Sequence, residues 1–276
     1  MKSIIAALLL LFTLVLSTAV KAENVVVPPD IAEIKRTGQL VVSMTSFDNL
    51  PFYGGPADNV IGLDADIARK IAQILGVKVV FRRDAATFQD VVEQVRRGES
   101  NLAISKLSIT PPRLATVRFS EPYVKLHQSL LINRLWLSQN EQGRSTPDVV
   151  RNLTGTIGFI KNTAYETFAK INFPNAVYSP RDTWDTVLED VISGKIAVAY
   201  RDEFEIKKIS LERPESSINT KAITLTDSTD YIAAVVDFRS VQLLEVVNFV
   251  IKDSFSNIDV KKLIAMYQAQ QKGAKQ

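Results

Sequence analysis

Hydroxyl side chains and an arginine surround a proline turn in the first half of the chain. Ser105, Ser108 and Thr110 precede two consecutive prolines, and Arg113 follows the prolines at once. A guanidinium grips both oxygens of a carboxylate, and hydroxyl and amide donors fill the remaining lone pairs. The segment therefore predicts a carboxylate-binding site. The alternative is that Arg113 is a surface residue of an ordinary loop, and the residue types alone leave both interpretations open.

The elements around this turn are typical of a parallel α/β sheet. Apolar runs that suit buried strands alternate with amphipathic segments that suit helices. Their order is strand 40–44, helix 65–75, strand 77–81, helix 88–97 and strand 102–104. Asp64 is predicted to cap the first helix. Ligands in such sheets bind beyond the carboxyl ends of the strands. The turn before Arg113 and the aromatic loop that contains Phe47 and Phe52 are therefore expected at the ligand-binding edge.

Composition and charge narrow the classes of function. Of the 276 residues, 46% are hydrophobic and 23% are charged, which is ordinary for a soluble globular protein with one large domain or two moderate ones. The formal net charge of +3 gives no reason to expect a nucleic-acid partner. The chain contains no cysteine, which excludes disulfides, thiol catalysis and lipidation of a cysteine.

Residues 1–22 are predicted to be a secretory signal peptide. A lysine precedes an apolar run over 4–16, and Val20 and Ala22 suit cleavage after Ala22. A membrane anchor is the alternative, but the run is shorter than the roughly 20 residues that span a bilayer. The mature protein is therefore expected to be exported and soluble.

Two motifs carry a family resemblance. Ile-Gly-Leu-Asp-Ala-Asp-Ile at 61–67 and the segment 105–113, followed by Phe-Ser-Glu-Pro-Tyr at 119–123, resemble signatures of periplasmic solute-binding proteins of the amino-acid type, family 3. Partial matches follow at 194–203 and 231–249. The resemblance implies a type II α/β fold with two lobes, two crossover hinge strands and closure on a small ligand. It also implies a monomer that delivers the ligand to an ABC importer in the inner membrane.

On this pattern, the first lobe is expected to comprise 23–130 and 228–276, and the second lobe 131–227. The crossover strands are predicted near 123–133 and 231–237. Neither the resemblance nor the sequence calls for a cofactor or a metal, since metal-ligand spacing is lacking.

The resemblance also implies ligand-binding roles for individual residues. Arg113 and Ser108 match the positions that bind the ligand carboxylate, and Asp202 matches the position that binds its ammonium group. Asp202 also suits a helix cap, and that alternative stays open. The remaining expected site residues are the aromatic walls Phe88, Phe47 and Phe52, the helix start at Thr163, and the turn residues Ser105 and Lys106.

Lys106 departs from the family pattern, in which this position is commonly glycine or serine. A cation beside the ammonium group of a ligand is repulsive. One hypothesis is that Lys106 neutralises a second acidic group of the ligand. The alternative is that its side chain extends to solvent.

An enzyme on the same fold is the rival class of function. A hydro-lyase that resembles cyclohexadienyl dehydratase needs a general acid near the bound carboxylate, and Glu121 or Glu203 are the candidates. His127 is the only histidine of the chain, and no Ser-His-Asp constellation follows from the spacing. Binding without chemistry is therefore the favoured interpretation.

Overall fold

The computed structural model describes residues 26–256 and 258–273. The predicted signal peptide, residues 1–22, lies outside this range. Two five-stranded sheets and their helices form two lobes, as predicted for the fold class. In the described part of the chain, every helix is too short or too polar to cross a membrane.

The described elements follow one another in a regular order. The strands are β1 (Gln39–Thr45), β2 (Lys78–Ala85), β3 (Leu102–Ala103), β4 (Arg118–Phe119), β5 (Val124–Asn133), β6 (Thr156–Ile160), β7 (Val177–Arg181), β8 (Val198–Asp202), β9 (Thr220–Ile232) and β10 (Val235–Val236). The helices are α1 (Pro29–Thr37), α2 (Leu63–Leu75), α3 (Phe88–Arg96), α4 (Pro111–Leu114), α5 (Arg134–Glu141), α6 (Thr146–Arg151), α7 (Ala164–Asn172), α8 (Trp184–Ile192), α9 (Glu203–Glu212), α10 (Val241–Ser254) and α11 (Val260–Gly273). A 3₁₀ turn spans Pro214–Ile218.

The first sheet has the strand order β2-β1-β3-β10-β4 and the second has the order β7-β6-β8-β5-β9. β1 pairs in parallel with β2 and β3, and β6 pairs in parallel with β7 and β8. In each lobe the carboxyl ends of these parallel strands therefore lie on one edge of the sheet. Loops that follow the strands form the facing walls of a site between the lobes.

Two long antiparallel strands connect the lobes. β5 and β9 pair from Val124 opposite Ile232 to Asn133 opposite Thr220, and both belong to the second sheet. The prediction of a second crossover strand over 231–237 was wrong in its extent: β9 ends at Ile232, and β10 then joins the first sheet. The predicted lobe boundaries at 130/131 and 227/228 fall within these strands and stay a prediction.

The core of the first lobe reaches across to the second. Phe52 and Phe204 are both buried and meet edge-to-face with ring centroids 5.9 Å apart. Phe204 lies in the first turn of α9, and its ring centroid lies 6.2 Å from that of Tyr267 in α11. These three rings bury apolar surface between the lobes, beside the crossover strands.

The predicted cap of α2 was wrong. α2 follows Gly62 and has no side-chain cap, and Asp64 is buried instead. Its Oδ2 accepts a hydrogen bond of 2.8 Å from the backbone N–H of Lys106. Burial raises the pKa of Asp64 to about 7, although that hydrogen bond opposes the shift. The first family motif therefore holds the turn of the second motif in place.

Candidate ligand-binding site

Arg113 occupies the wall that the first lobe presents to the second. The two prolines form the first turn of α4, where their missing N–H groups leave no hydrogen bond unmade. Arg113 is buried, and its Nη1 donates to the backbone oxygen of Ser108 at 3.0 Å, which is the one hydrogen bond of the guanidinium among the described residues. Burial lowers its pKa to about 10 against the opposing effect of Asp230. The guanidinium therefore stays charged at neutral pH.

The start of α7 lies opposite on the second lobe. Thr163, Ala164 and Tyr165 line the same cavity as Arg113. The Thr163 hydroxyl donates to the backbone oxygen of Ile160 at 2.6 Å and does not cap α7. Since the first N–H groups of a helix lack intrahelical partners and carry partial positive charge, this wall also favours an anionic group.

Asp230 of β9 lies between these two walls. Its Oδ2 accepts hydrogen bonds of 3.0 Å from the hydroxyls of Ser108 and Tyr165. Its Oδ1 is buried and has no donor within reach in the described residues. Burial, together with repulsion from Asp202, raises the pKa of Asp230 to about 6, and the two hydroxyl donors only partly offset this effect.

Lys106 makes the charged contacts at the other end of the cavity. Its Nζ lies 2.9 Å from Oδ2 of Asp202 and 2.8 Å from Oε1 of Glu205, and its side chain is only 4% exposed. The ammonium also lies 4.9 Å from the ring centroid of Phe52 and 5.3 Å from that of Phe204. Lys106 therefore connects the turn after β3 to the start of α9 in the other lobe.

The cavity continues into a larger groove between the lobes. The cavity beside Arg113 has a volume of about 30 Å³, and the groove has a volume of about 630 Å³. Both are lined by Phe88, Ile160, Thr163 and Arg201. The groove falls within the roughly 300–1,000 Å³ of typical small-molecule sites, whereas the cavity alone is far smaller. The site thus consists of a narrow charged end and a wide outer groove.

Comparison with known proteins assigns the chain to a family. The model of the bacterial extracellular solute-binding proteins, family 3, matches residues 41–269. The chain belongs to this family. A solved structure with the same fold is an amino acid ABC transporter substrate-binding protein from Streptococcus pneumoniae bound to L-arginine. It is 26% identical to this family 3 protein, has a TM-score of 0.67, and the alignment covers 86% of this chain and 98% of that one.

Two curated relatives match shorter parts of the family 3 protein. The arginine-binding periplasmic protein of Mannheimia haemolytica is 34% identical over 143 residues, which is 52% of this chain and 54% of the relative. The membrane-bound lytic murein transglycosylase F of Saccharophagus degradans is 27% identical over 146 residues, which is 53% of this chain. The matched part spans only 26% of that transglycosylase.

Six of the nine residues predicted for the ligand site of the family 3 protein line the cavity. They are Phe88, Lys106, Ser108, Arg113, Thr163 and Asp202. Phe47 lines only the outer groove, where its ring packs edge-to-face on Phe88 with centroids 5.5 Å apart. The six residues come from four segments at the carboxyl ends of β2, β3, β6 and β8, which is where ligands bind in parallel α/β sheets.

Two predicted site residues lie outside the cavity. Phe52 is completely buried in the core of the first lobe, because the loop that carries it folds under the lobe and meets Phe204. Ser105 is also completely buried, and its hydroxyl accepts a hydrogen bond of 3.2 Å from the backbone N–H of Thr45. Both residues stabilise the loops that form the cavity and do not line it.

Both hypotheses about Lys106 need correction. Its side chain does not extend to solvent, and its charge is matched by Asp202 and Glu205 rather than kept for an acidic group of a ligand. Its backbone φ of 50° lies in the left-handed region, which is costly for a residue with a side chain. This explains why glycine is suited to the position. The alternative role of Asp202 is also present, since its Oδ1 accepts from the N–H of Glu205 at 3.1 Å as the cap of α9.

Sequence reasoning missed Asp230 and Tyr165. Asp230 stands two residues before Ile232, and both are buried. Since residues two apart on a strand share a face, the apolar Ile232 was a signal that Asp230 also points inward. Tyr165 carried no such signal, because an aromatic residue in the first turn of a helix usually packs in a core.

Proposed function

We propose that this protein captures an amino acid or a related small carboxylate between its lobes. In this proposal the mature protein is a periplasmic monomer that delivers the solute to an ABC importer in the inner membrane. The observation that supports it most is the buried guanidinium of Arg113, whose side chain lines the cavity and makes one hydrogen bond in the described residues. A buried cation with unused donors calls for an anionic partner.

The walls around Arg113 favour a carboxylate over other anions. The planar guanidinium matches the two oxygens of a carboxylate, and the N–H groups at the start of α7 face it from the second lobe. Phe88 and Ile160 supply apolar surface where the cavity meets the groove. A solute with a carboxylate at one end and a side chain that extends toward the groove matches this sequence of surfaces.

Closure follows from the same arrangement. Arg113 belongs to the first lobe and Thr163 to the second, and the lobes are connected by β5 and β9. A cavity of about 30 Å³ is too small for an amino acid, so the lobes must separate for entry. They then close on the solute because both lobes contact it only in the closed form. Both curated and solved relatives that bind arginine support an amino acid as the solute.

The test is a thermal-shift screen of amino acids and related carboxylates, followed by calorimetric titration of the solutes that stabilise the protein. Arg113→Met should weaken binding by on the order of 2–4 kcal/mol, because a buried charged pair loses one partner. Arg118→Met is the matched control: Arg118 is exposed and bonds to Phe238 outside the cavity. Unchanged affinity in Arg113→Met would contradict the proposal.

Binding without chemistry is part of the proposal. The acids that an enzyme would need were predicted to be Glu121 or Glu203. Glu121 is exposed, and Glu203 accepts a hydrogen bond of 2.9 Å from the backbone N–H of His127. Neither residue lines the cavity. Incubation with prephenate or arogenate should therefore leave both compounds unchanged, and turnover of either would favour an enzyme.

A further inference from the structure

Asp202 is less available to the ammonium group of a ligand than the family pattern implies. Its Oδ1 accepts from the N–H of Glu205 at 3.1 Å, and its Oδ2 accepts from Nζ of Lys106 at 2.9 Å. Each oxygen therefore already has a partner. A second cation beside Lys106 would also meet repulsion at close range.

The charges around Asp202 strengthen this conclusion. Glu205 lies within 4 Å of Lys106, Lys208 and Arg201, at 2.8, 3.1 and 3.8 Å. Together with Asp202, this cluster holds three cations and two carboxylates, so its formal charge is positive. An incoming ammonium group would have to share the Asp202 carboxylate with Lys106 or displace Lys106, and both are costly because like charges repel at close range and a displaced buried charge needs a new partner.

Asp230 has the opposite character. It is 1% exposed, lines the cavity, and holds one oxygen toward Ser108 and Tyr165. The other oxygen is buried without a donor in the described residues. A buried acceptor without a partner is destabilising, and an ammonium group would satisfy it.

Ser108 places Asp230 beside Arg113. Its backbone oxygen accepts from Arg113 and its hydroxyl donates to Asp230, each at 3.0 Å. The two opposite charges are therefore joined through a single residue. An α-amino acid carries its carboxylate and ammonium groups on one carbon, so its two charges also lie side by side. This match requires the zwitterion, and an acid without the amino group could satisfy only Arg113.

We propose that Asp230, and not Asp202, receives the ammonium group of the bound amino acid, and that Asp202 is reserved for Lys106. The inference rests on the proposed function, because it assumes that the cavity takes an amino acid. It assigns a specificity-determining role to a residue of the crossover strand β9. Burial and the nearby Asp202 raise the pKa of Asp230 to about 6, and a bound ammonium group would counter this effect.

The test uses pairs of ligands that differ only in the amino group. L-Arginine is compared with 5-guanidinopentanoate, L-glutamate with glutarate, and L-phenylalanine with 3-phenylpropanoate, each by calorimetric titration at pH 7.5. The proteins are the wild type, Asp230→Asn, Asp230→Ser and Asp202→Asn. Asp230→Ser removes the carboxylate without placing an amide donor in the cavity, and it serves if Asp230→Asn does not fold.

We expect the wild type to bind at least one amino acid tenfold or more tightly than its partner without the amino group. Both substitutions of Asp230 should reduce this preference to below threefold and leave the affinity for the simple acid within threefold of the wild type. Asp202→Asn should keep the preference. If Asp202→Asn abolishes the preference while the Asp230 variants retain it, the assignment is overturned.

Two other outcomes also contradict the assignment. A wild type that binds the simple acids as tightly as the amino acids would show that no residue of the cavity holds an ammonium group, although the proposed carboxylate function would stand. A wild type that binds neither member of any pair would overturn the proposed function, and the inference with it. Failure of the inference alone is thus recognised by intact wild-type binding.

Discussion

Replacing Lys106 with methionine should destabilise the protein strongly. The Lys106 ammonium lies 2.9 Å from Asp202 and 2.8 Å from Glu205, with all three side chains almost completely buried. Removing one partner of a buried ion pair costs about 3–5 kcal/mol because the other charge is left uncompensated. Glu205 keeps Lys208 and Arg201 as neighbours, so a loss near 3 kcal/mol is expected. Methionine fills a similar volume and can still contact the two aromatic rings.

The assay is urea unfolding. The free energies of unfolding are compared between variants whose free energy depends on urea concentration with the same slope. Lys208→Met is the matched control, because Lys208 contacts the same Glu205 at 3.1 Å from a more exposed position. The control should lose about 1 kcal/mol or less, because Glu205 keeps Lys106 and Arg201 as partners and Lys208 can reach solvent. A loss below about 1 kcal/mol in Lys106→Met, or equal losses in both variants, would refute the reasoning.

The pH dependence of stability is a second test of the ion pair between Lys106 and Glu205. Burial alone would raise the pKa of Glu205, but Lys106, Arg201 and Lys208 lower it well below the usual value of 4.5. A carboxyl with a lowered native pKa stabilises the fold above its unfolded pKa, and this stabilisation is lost as the pH falls through the native value. The difference in the free energy of unfolding between the wild type and Lys106→Met should therefore shrink as the pH falls below about 4.5.

Three further predictions concern single residues. Asp230→Asn should raise the free energy of unfolding at pH 8 by up to about 3 kcal/mol and leave it unchanged near pH 4. Burial raises the pKa of Asp230 from its usual 3.8 to about 6 in the folded protein. The wild type therefore loses stability as the pH rises from 3.8 through about 6. Urea unfolding at both pH values checks this prediction. Ser105→Ala should cost about 1–3 kcal/mol in the same assay, because the N–H of Thr45 loses its acceptor, but calorimetry should show unchanged ligand affinity. Gly62→Ala should lower the melting temperature by several degrees, because φ is 110° and a Cβ would lie 2.5 Å from the backbone oxygen of Phe52; an unchanged value in calorimetric melting would contradict this.

Local patterns in the sequence were sufficient to predict a parallel α/β sheet, and the family resemblance added the two lobes and their crossover strands. Alternation of strands and helices, interrupted at the two prolines before Arg113, placed Arg113 and Ser108 at the ligand-binding edge. Caps were predicted less well, since Asp64 does not cap α2 and the reciprocal cap of α3 by Thr87 and Asp90 was missed.

The electrostatics of the site could not be predicted in the same way. Lys106 lies far along the chain from Asp202 and Glu205, and no periodicity relates residues of different lobes. The burial of Phe52 depends on how the loop around Gly62 folds beneath the first lobe. In the same way, Asp230 becomes a cavity residue only because β9 extends through the crossing and brings it to Ser108.

The most direct test of the proposed function is a crystal structure with the solute that binds most tightly in the thermal-shift screen. The proposed function predicts that the carboxylate of the solute accepts at least two hydrogen bonds from Arg113 and that the backbone at the start of α7 contacts it from the other lobe. A solute bound elsewhere, or one whose carboxylate does not contact Arg113, would contradict the proposal that this protein captures small carboxylates between its lobes.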